Sequence, residues 1–582
     1  MSYLTESLKI EILMMIRYGD RARTQCEVVR LFRETHPDLP PLNQGTISKI
    51  EAQYRDMGHV RKVPSKRQAV VDDDTKLNLL LALEENPITP ARQLARDKKN
   101  AHIKCKLFKS YLKMIQIDDV AKNVILFLGD GMSIPTLTAT RVYYGGEEKE
   151  LSFEKLPYLA LSKTYCVDSQ TADSACSGTA YLGGVKANRG TIGVTAAVEK
   201  NDCDAMLVEE NQVLSIARWS QNVGKRTGIV TTSTVTDAST AGVYAHAANR
   251  NWQTDAQVEE DGVNATTCRD ITYQLVKWET GKKFNVILGG GSQKFLSNGT
   301  SDPLGNEGKR TDNLNLIDEW LNDRTAEGNV AEYVWNRTAL LNIGNETDYV
   351  LGLFSGGYMK YNLDRNTTLT PSLEEMTEIA IKVASKDAEN GYFLFIEGGR
   401  IDQAHHSVKA HKSFDETVEF AKAVQKALDL TDEEETLIVV TADHAHTMSM
   451  SGYADRNASI FGSPGKDDNG LTRLTINYAN GPGFIASGYD YVNDTTTDID
   501  YQFPSVSYRG SETHGADDVA IHANGPWAHL FSGVIEQNVI PHIIAYASCV
   551  GDGLTTCSGA LKIVANLSLP LLLAILAVHL IT

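Results

Sequence analysis

The sequence predicts an α/β fold with a mostly parallel central sheet for the chain from residue 118 to residue 560. Four largely apolar runs carry this prediction, because strands covered by helices on both faces read as continuous hydrophobic stretches. Each run leads within a few positions to an acidic residue. The runs occupy residues 124–128, 227–232, 392–396 and 436–441.

The acids that follow these strands indicate a shared site. Asp130 follows the first run, Asp237 the second, Glu397 the third and Asp443 the fourth. Ligands in such sheets bind outside the carboxyl ends of the strands. An acid in a turn beside glycine is common after any single strand, but four strands that each deliver an acid favour a binding site.

Histidines accompany these acids at spacings that suit metal ions. Asp402 and His406 are four residues apart, so both can face one cation if this loop begins a helix. Asp443 and His444 are adjacent, and His514 supplies a later imidazole. Mixed imidazole and carboxylate sets suit zinc, whereas hydroxyl and carboxylate sets suit magnesium.

A candidate nucleophile lies in residues 171–182, TADSACSGTAYL. A serine such as Ser174 needs a base or a metal ion for activation. The small residues that follow it allow a helix to begin tightly beneath an anion, and helix N-termini bind anions. The alternative, in which Asp173 and Ser174 are an ordinary helix cap, remains open on this stretch alone.

Charge is divided unevenly along the 582 residues. Residues 1–117 carry 21 Lys and Arg against 14 Asp and Glu, whereas the remainder carries 35 against 60. The division suggests two segments of different origin or purpose. The acidic body argues against nucleic acid as its substrate, and a composition of 42% hydrophobic and 22% charged residues is typical of globular proteins.

Residues 1–117 predict a basic, helical extension. The opening residues include Glu6, Lys9 and Glu11 and no small-residue cleavage site, so they do not form a recognisable signal peptide. The amphipathic helices and a basic cluster at residues 61–67 resemble the helix-turn-helix DNA-binding segment of transposase-like proteins. A solvated basic extension without a nucleic-acid partner is the alternative.

The body resembles animal alkaline phosphatases, in particular the membrane-bound, arthropod-like branch. The resemblance covers roughly residues 120–557 and implies a three-layer α/β/α fold with a large, mostly parallel central sheet, and a homodimer. It also implies a small crown insertion at about residues 451–510. The matching stretches are VILFLGDGMS, DSQTADSACSGTAYLGGVKAN, VYAHAANRNW, MKYNLDRNTTLTPSLEEMT, FLFIEGGRIDQAHH, VVTADHAHT and ETHGADDVAIHANGPWAHLF.

The resemblance implies two Zn²⁺ and one Mg²⁺ per subunit. One zinc ion would be held by Asp402, His406 and His514, and the other by Asp130, Asp443 and His444 with the Ser174 oxygen. The magnesium ion would be held by Asp130, Ser239 and Glu397, and Arg250 would grip two phosphate oxygens. The implied reaction is broad hydrolysis of phosphate monoesters through a phosphoserine on Ser174.

Some positions depart from the pattern of the vertebrate enzymes. Asp237 stands where those enzymes resemble one another in having histidine, and Gln403 replaces a histidine or lysine. Both changes should alter the magnesium environment without removing a ligand. Ser355, Thr370 and Leu304 fall where a peripheral calcium site would need carboxylates, so that fourth site is predicted to be absent.

Several features predict a secreted protein. Family resemblance pairs Cys203 with Cys268 and Cys549 with Cys557, which requires an oxidising compartment. Cys166 and Cys176 are then expected as buried thiols. Seven sequons in the body of the chain predict N-glycosylation at Asn264, Asn298, Asn336, Asn345, Asn366, Asn457 and Asn493.

Residues 558–582 are expected to be a signal for a GPI anchor. The last twenty residues contain no Asp, Glu, Lys or Arg and follow small residues, and Ser558 is the favoured attachment site. The expected location is therefore the outer face of the plasma membrane. Because residues 1–117 do not fit that route, we expect a fused or mis-assembled gene model that replaces the natural leader.

Three other functions remain as alternatives to a phosphomonoesterase. A related phosphodiesterase or phosphomutase would share much of the ligand set, although Ser174 together with Arg250 argues against it. An inactive surface-binding protein could keep the fold, although every expected metal ligand is present. The N-terminal segment could act as a DNA-binding protein, with affinity that falls steeply as salt rises.

Overall fold

A computed structural model describes residue 117, residues 119–551 and residues 553–554. The described residues belong to the second of two units of the chain, Ile115–Thr582. The seventeen strands are β1 Asn123–Gly129, β2 Tyr158–Lys163, β3 Arg226–Thr234, β4 Val286–Gly290, β5 Ala331–Val334, β6 Tyr349–Leu353, β7 Tyr392–Gly398, β8 Thr436–Ala442, β9 Ala445–His446, β10 Met448–Met450, β11 Gly465–Lys466, β12 Thr472–Arg473, β13 Ile476–Gly481, β14 Ser505–Tyr508, β15 His514–Gly515, β16 Val519–Asn524 and β17 Gly533–Glu536.

Fourteen α-helices connect the described strands, together with short 3-10 turns. They are α1 Ile134–Gly145, α2 Ser174–Gly183, α3 Cys203–Met206, α4 Ile216–Asn222, α5 Ala238–Ala241, α6 Asp255–Glu260, α7 Ile271–Lys277, α8 Ser292–Phe295, α9 Leu316–Ala326, α10 Arg337–Leu341, α11 Leu373–Ser385, α12 Arg400–His406, α13 Ala410–Leu430 and α14 Ile540–Ser548. In the part of the chain that the structure describes, no helix is both long and apolar enough to cross a lipid bilayer.

Ten strands form one large sheet in the order β17-β2-β16-β8-β1-β7-β3-β4-β6-β5. Strand β16 runs antiparallel to β2 and β8, and the other pairs of neighbours are parallel. The predicted mostly parallel sheet is confirmed. The four predicted runs are strands β1, β3, β7 and β8, and they are consecutive at the centre of the sheet, so the acids that follow them converge.

Alternate residues of the central strands enter two cores on opposite faces of the sheet. Leu126 and Phe395 pack with buried residues of α2, α4, α7, α9 and α14. Phe127 and Leu394 pack with buried residues of α1, α10, α11 and α13. The arrangement has three layers, as expected, and burial on both faces explains why these strands lack an alternating polar pattern.

The segment between β8 and β16 leaves the large sheet. Strands β10, β13 and β14 form a three-stranded sheet, and β11 pairs with β12. This region contains residues 451–510, where an insertion is predicted. Strands β9 and β15 pair antiparallel and place His446 opposite His514, so the segment returns to the site before β16 begins.

Two disulfides are present between described cysteines. Cys203 pairs with Cys268, as predicted. The expectation of free thiols at Cys166 and Cys176 is wrong, because these residues form a disulfide over a separation of ten residues. Cys549 is also disulfide-bonded, whereas its predicted partner Cys557, the tail with Ser558 and the extension up to residue 116 lie outside the described residues.

Arg310 holds the segment that follows Arg250. Its side chain is fully buried and binds both oxygens of Asp270, at 3.0 and 2.9 Å. Its Nε donates to Asp312 at 3.1 Å, and Asp255 lies 3.7 Å from one guanidinium nitrogen. Asp270 caps α7 and Asp255 is the first residue of α6. One guanidinium therefore links the N-termini of the two helices that follow Arg250 in the sequence.

We expect Arg310→Met to lower the free energy of unfolding by about 3–5 kcal/mol, because it leaves buried carboxylates without their cation. Equilibrium urea denaturation followed by tryptophan fluorescence measures the loss. Arg456→Met is the matched control, since Arg456 and its partner Glu148 are 62% and 84% exposed, and it should cost less than about 1 kcal/mol. Equal losses in both variants would contradict the role given to Arg310.

Candidate active site

The site lies at the carboxyl ends of β1, β7 and β8. Asp130 follows β1, Glu397 is the penultimate residue of β7 and Asp443 follows β8. The Gly131 backbone N–H donates to Asp443 Oδ1 at 2.9 Å. Gly131 has φ +64°, and a Cβ there would lie 2.3 Å from His446 Nε2, so only glycine fits this turn.

The first cluster surrounds His444. Its Nε2 lies 3.2 Å from Asp443 Oδ2 and 3.6 Å from Asp130 Oδ1. Ser174 Oγ, at the first position of α2, lies 3.3 Å from the same nitrogen. All four residues are buried, so the candidate nucleophile and three candidate ligands share one small, water-poor space.

The second cluster joins Asp402 and His406 of α12 to His514 of β15. His406 Nε2 lies 3.3 Å from Asp402 Oδ2 and 3.2 Å from His514 Nε2. His406 Nδ1 lies 2.6 Å from the carbonyl oxygen of Glu512, and His514 Nδ1 lies 2.8 Å from the carbonyl oxygen of Ala172. Because a carbonyl only accepts, each Nδ1 carries the proton and each Nε2 is left with a lone pair for a cation.

A third group of oxygens lies beside Asp130. Thr231 Oγ1 donates to Glu397 Oε2 at 2.5 Å, and Ser239 is buried within α5. Four of the buried oxygens without a hydrogen-bond partner among the described residues belong to these candidate ligands, namely Asp130 Oδ1, Ser239 Oγ, Glu397 Oε1 and Asp443 Oδ2. Since buried polar atoms in native proteins are usually paired, a set of unpaired oxygens of this kind fits bound cations.

The pKa values of Asp130 and Glu397 also favour bound cations at these oxygens. Burial, reinforced by the charge of Asp443, raises the pKa of Asp130 well above its usual range. Burial is also the main cause that raises the pKa of Glu397 from 4.5 to about 8. Carboxyl groups gather here with no Lys or Arg of the described residues in an ion pair with Asp130 or Glu397, and a bound cation would remove the cost of ionising them.

Asp173 connects α2, which begins at Ser174, to Arg250, the candidate phosphate-binding residue. Its Oδ1 accepts from the backbone N–H of Cys176 at 3.2 Å, which caps α2, and from Gly190 N at 3.1 Å. Its Oδ2 accepts from Arg250 at 3.1 Å. Burial opposes its ionisation, but Arg250 and the backbone donors outweigh burial and lower the pKa of Asp173. One carboxylate therefore fixes Ser174 and Arg250 relative to each other.

The two positions that depart from the vertebrate pattern lie next to candidate site residues. Asp237 Oδ2 accepts from Ser233 at 2.7 Å, and its Oδ1 lies 3.5 Å from Arg250. Asp237 is thus a second carboxylate on the guanidinium. Gln403, on α12 next to Asp402, accepts from Arg400 at 3.3 Å. Their effects on the magnesium environment stay predictions.

Sequence reasoning missed the pair His446 and Glu512. His446 Nε2 lies 2.8 Å from Asp402 Oδ1, and its Nδ1 lies 2.6 Å from Glu512 Oε2. Burial opposes charge on His446, but Glu512 outweighs it and raises the pKa of His446 to about 10. Their spacing in the sequence could have indicated them, since His446 lies two residues after His444 and Glu512 lies two residues before His514. The pair orients Asp402 from behind.

The remaining predicted sites lie away from this centre. Six of the seven sequon asparagines are exposed and Asn336 is partly exposed, and their glycosylation stays a prediction. Ser355 Oγ donates to the carbonyl of Tyr358, and the carbonyl of Thr370 accepts from Arg365. The backbone N–H of Leu304 donates to Asp302 Oδ1. The predicted absence of a calcium site at these positions stays a prediction.

We expect the chelated protein to lose stability as the pH rises from about 6.5 to about 8, above the range in which buried histidines of lowered pKa, such as His405 and His444, make stability rise with pH. A carboxyl with a raised pKa binds its proton more tightly in the folded state, so folding loses free energy as that proton is removed. Thermal unfolding in a chelator across this range should show a falling midpoint. Glu397→Gln should flatten the fall, and the exposed Glu327→Gln should not. A wild-type midpoint that does not fall would contradict the burial argument.

Comparisons with known proteins agree with this arrangement. A family model described as alkaline phosphatase matches residues 121–550. A membrane-bound alkaline phosphatase of Bombyx mori is 46% identical over 469 residues, which cover 78% of this chain and 85% of the relative. The tissue-nonspecific alkaline phosphatase isozyme of Felis catus is 44% identical over 470 residues, which cover 78% and 88%.

Solved structures share the fold at lower identity. A TAB5 alkaline phosphatase variant with magnesium bound in its M3 site has a TM-score of 0.53 at 21% identity, covering 74% of this chain and 99% of that chain. The Thermus thermophilus alkaline phosphatase has a TM-score of 0.53 at 19% identity, covering 74% and 92%. Since the family model spans most of the chain and the relatives exceed 40% identity, this protein belongs to the alkaline phosphatase family.

Proposed function

We propose that this chain hydrolyses phosphate monoesters through a phosphoserine on Ser174, with two Zn²⁺ and one Mg²⁺ ion. The observation that carries the proposal is the position of Ser174 Oγ, 3.3 Å from His444 Nε2 at the N-terminus of α2. Arg250 is held nearby by Asp173. Family membership supports the reaction class.

The residues of the three groups suit these ions by donor type. Asp402, His406 and His514 would hold one zinc ion, and Asp130, Asp443 and His444 would hold the other with Ser174. Asp130, Ser239 and Glu397 would hold magnesium through hard oxygen donors. When bound, the zinc ions would lower the pKa of the serine hydroxyl and stabilise negative charge on the entering and leaving oxygens.

The chain's own groups position the phosphoryl group for attack by Ser174 Oγ. Arg250 donates two parallel N–H groups to phosphate oxygens, and its charge offsets the negative charge of the phosphoryl group. Burial of Ser174 limits competing water during the first displacement. The leaving oxygen departs on the side opposite Ser174, and water then hydrolyses the phosphoserine. A broad range of phosphate monoesters is expected.

The proposed place of action is the outer face of the plasma membrane, with the chain held by a lipid anchor after Ser558. The name of the Bombyx mori relative, a membrane-bound enzyme, supports membrane association. The disulfides and the exposed sequon asparagines fit a secreted protein. A homodimer is proposed from family membership. Nucleic acid remains a partner only for residues 1–117.

Ser174→Ala should reduce kcat for p-nitrophenyl phosphate by at least about a thousandfold, because it removes the proposed nucleophile. Chelation should abolish the activity of the wild type, and zinc with magnesium should restore it. Mass spectrometry of acid-quenched enzyme should find one phosphoryl group on the peptide that contains Ser174.

Ser220→Ala is the matched control, because Ser220 is a buried helical serine whose hydroxyl donates only to the carbonyl of Ile216. Its kcat should remain within about twofold of the wild type. Faster cleavage of bis(p-nitrophenyl) phosphate than of the monoester would favour a phosphodiesterase instead. A folded, metal-loaded wild type that cleaves neither substrate would overturn the proposal.

A further inference from the structure

A cavity of about 410 Å³ opens beside the second cluster. His406 and His514 form its inner wall, and Arg189 and Arg509 line it as well. From this arrangement we propose that the two arginines bind a second anionic group, a carboxylate or phosphate, on the alcohol portion of the substrate. The preferred substrates are then phosphate monoesters whose leaving group is itself an oxyanion. The inference rests on the proposed function and adds a substrate class to it.

The guanidinium groups of both arginines are unpaired in the part of the chain that the structure describes. No described residue forms an ion pair or a side-chain hydrogen bond with either guanidinium, and both residues are exposed. The one carboxylate that lines the cavity, Glu512, is buried and already accepts from Thr447 and contacts His446. The cavity therefore presents two free cations and no free anion, a setting that favours anionic ligands.

The backbones of the two arginines are anchored to the site itself. Arg189 N donates to Asp168 Oδ1 at 2.8 Å, and the next residue, Gly190, donates to Asp173, the partner of Arg250. Arg509 N donates to the carbonyl of Gly481 at 3.2 Å, and five residues later the chain supplies His514. These backbone hydrogen bonds hold the two arginines on segments that lead to Asp173 and to His514, while their side chains remain in solvent.

The direction of the reaction places the alcohol in this cavity. In the proposed reaction, Ser174 attacks from beside His444 and the leaving oxygen departs on the opposite side, which we assign to His406 and His514. These two imidazoles border the cavity, so an alcohol longer than a few atoms extends between the arginines. Guanidinium groups bind carboxylates and phosphates through charge-assisted, paired hydrogen bonds.

The test compares substrates that share one phosphoryl group and differ in the distant substituent. These are 4-carbamoylphenyl phosphate, 4-carboxyphenyl phosphate and 1,4-phenylene bisphosphate. The anionic preference is kcat/KM for an anionic substrate divided by kcat/KM for the amide. In the metal-loaded full chain that carries both Arg189→Gln and Arg509→Gln, this preference should be about tenfold lower than in the wild type, for either anionic substrate. Arg189→Glu with Arg509→Glu should reverse the preference. Arg456→Gln, which removes an exposed arginine that does not line the cavity, should leave it unchanged.

A second measurement needs no variant. Raising KCl from about 0.05 to about 0.5 M should reduce the anionic preference of the wild type towards one, because salt screens exposed charges. The proposal is overturned if the ratio of anionic to amide substrate is the same in wild type and double glutamine variant, or if it is insensitive to salt. Loss of cleavage of all three substrates by the wild type would instead contradict the proposed function.

Discussion

Three carboxylates, Asp130, Glu397 and Asp443, are buried together where three adjacent strands end, and much of the site depends on this crowding. Water cannot screen their charges, and no Lys or Arg among the described residues forms an ion pair with them. Hydrogen-bond donors contact some of the oxygens of these carboxylates, and other oxygens have no hydrogen-bond partner among the described residues. Cations that shared these oxygens would couple the stability of the fold to metal binding.

Asp173 organises the other half of the site. Through three hydrogen bonds it caps the helix that begins at Ser174, fixes the loop at Gly190 and holds Arg250. The proposed nucleophile and the proposed phosphate-binding arginine, which come from distant parts of the sequence, are thereby held in one geometry before substrate arrives. Such preorganisation lowers the cost of reaching the transition state, since less motion remains to be frozen.

The central strands and the acids at their ends could be predicted from sequence, because burial on both faces and the turn after each strand leave strong local patterns. The link between His446 and Glu512 could not, since it depends on how β9 pairs with β15 across a long insertion. The cavity containing Arg189 and Arg509 was missed for the same reason, because tertiary structure alone brings two isolated arginines together. The pairing of Cys166 with Cys176 escaped because spacing does not determine disulfide connectivity.

The disulfide between Cys166 and Cys176 closes a short ring around Ala172, whose carbonyl faces His514 Nδ1 at 2.8 Å. That carbonyl decides which nitrogen of the imidazole carries the proton, and therefore which one has a free lone pair. The same ring ends on α2, two residues beyond Ser174. The disulfide therefore ties the segment that presents this carbonyl to the helix that carries Ser174, and in an oxidising compartment a covalent bond joins the surroundings of two proposed site residues.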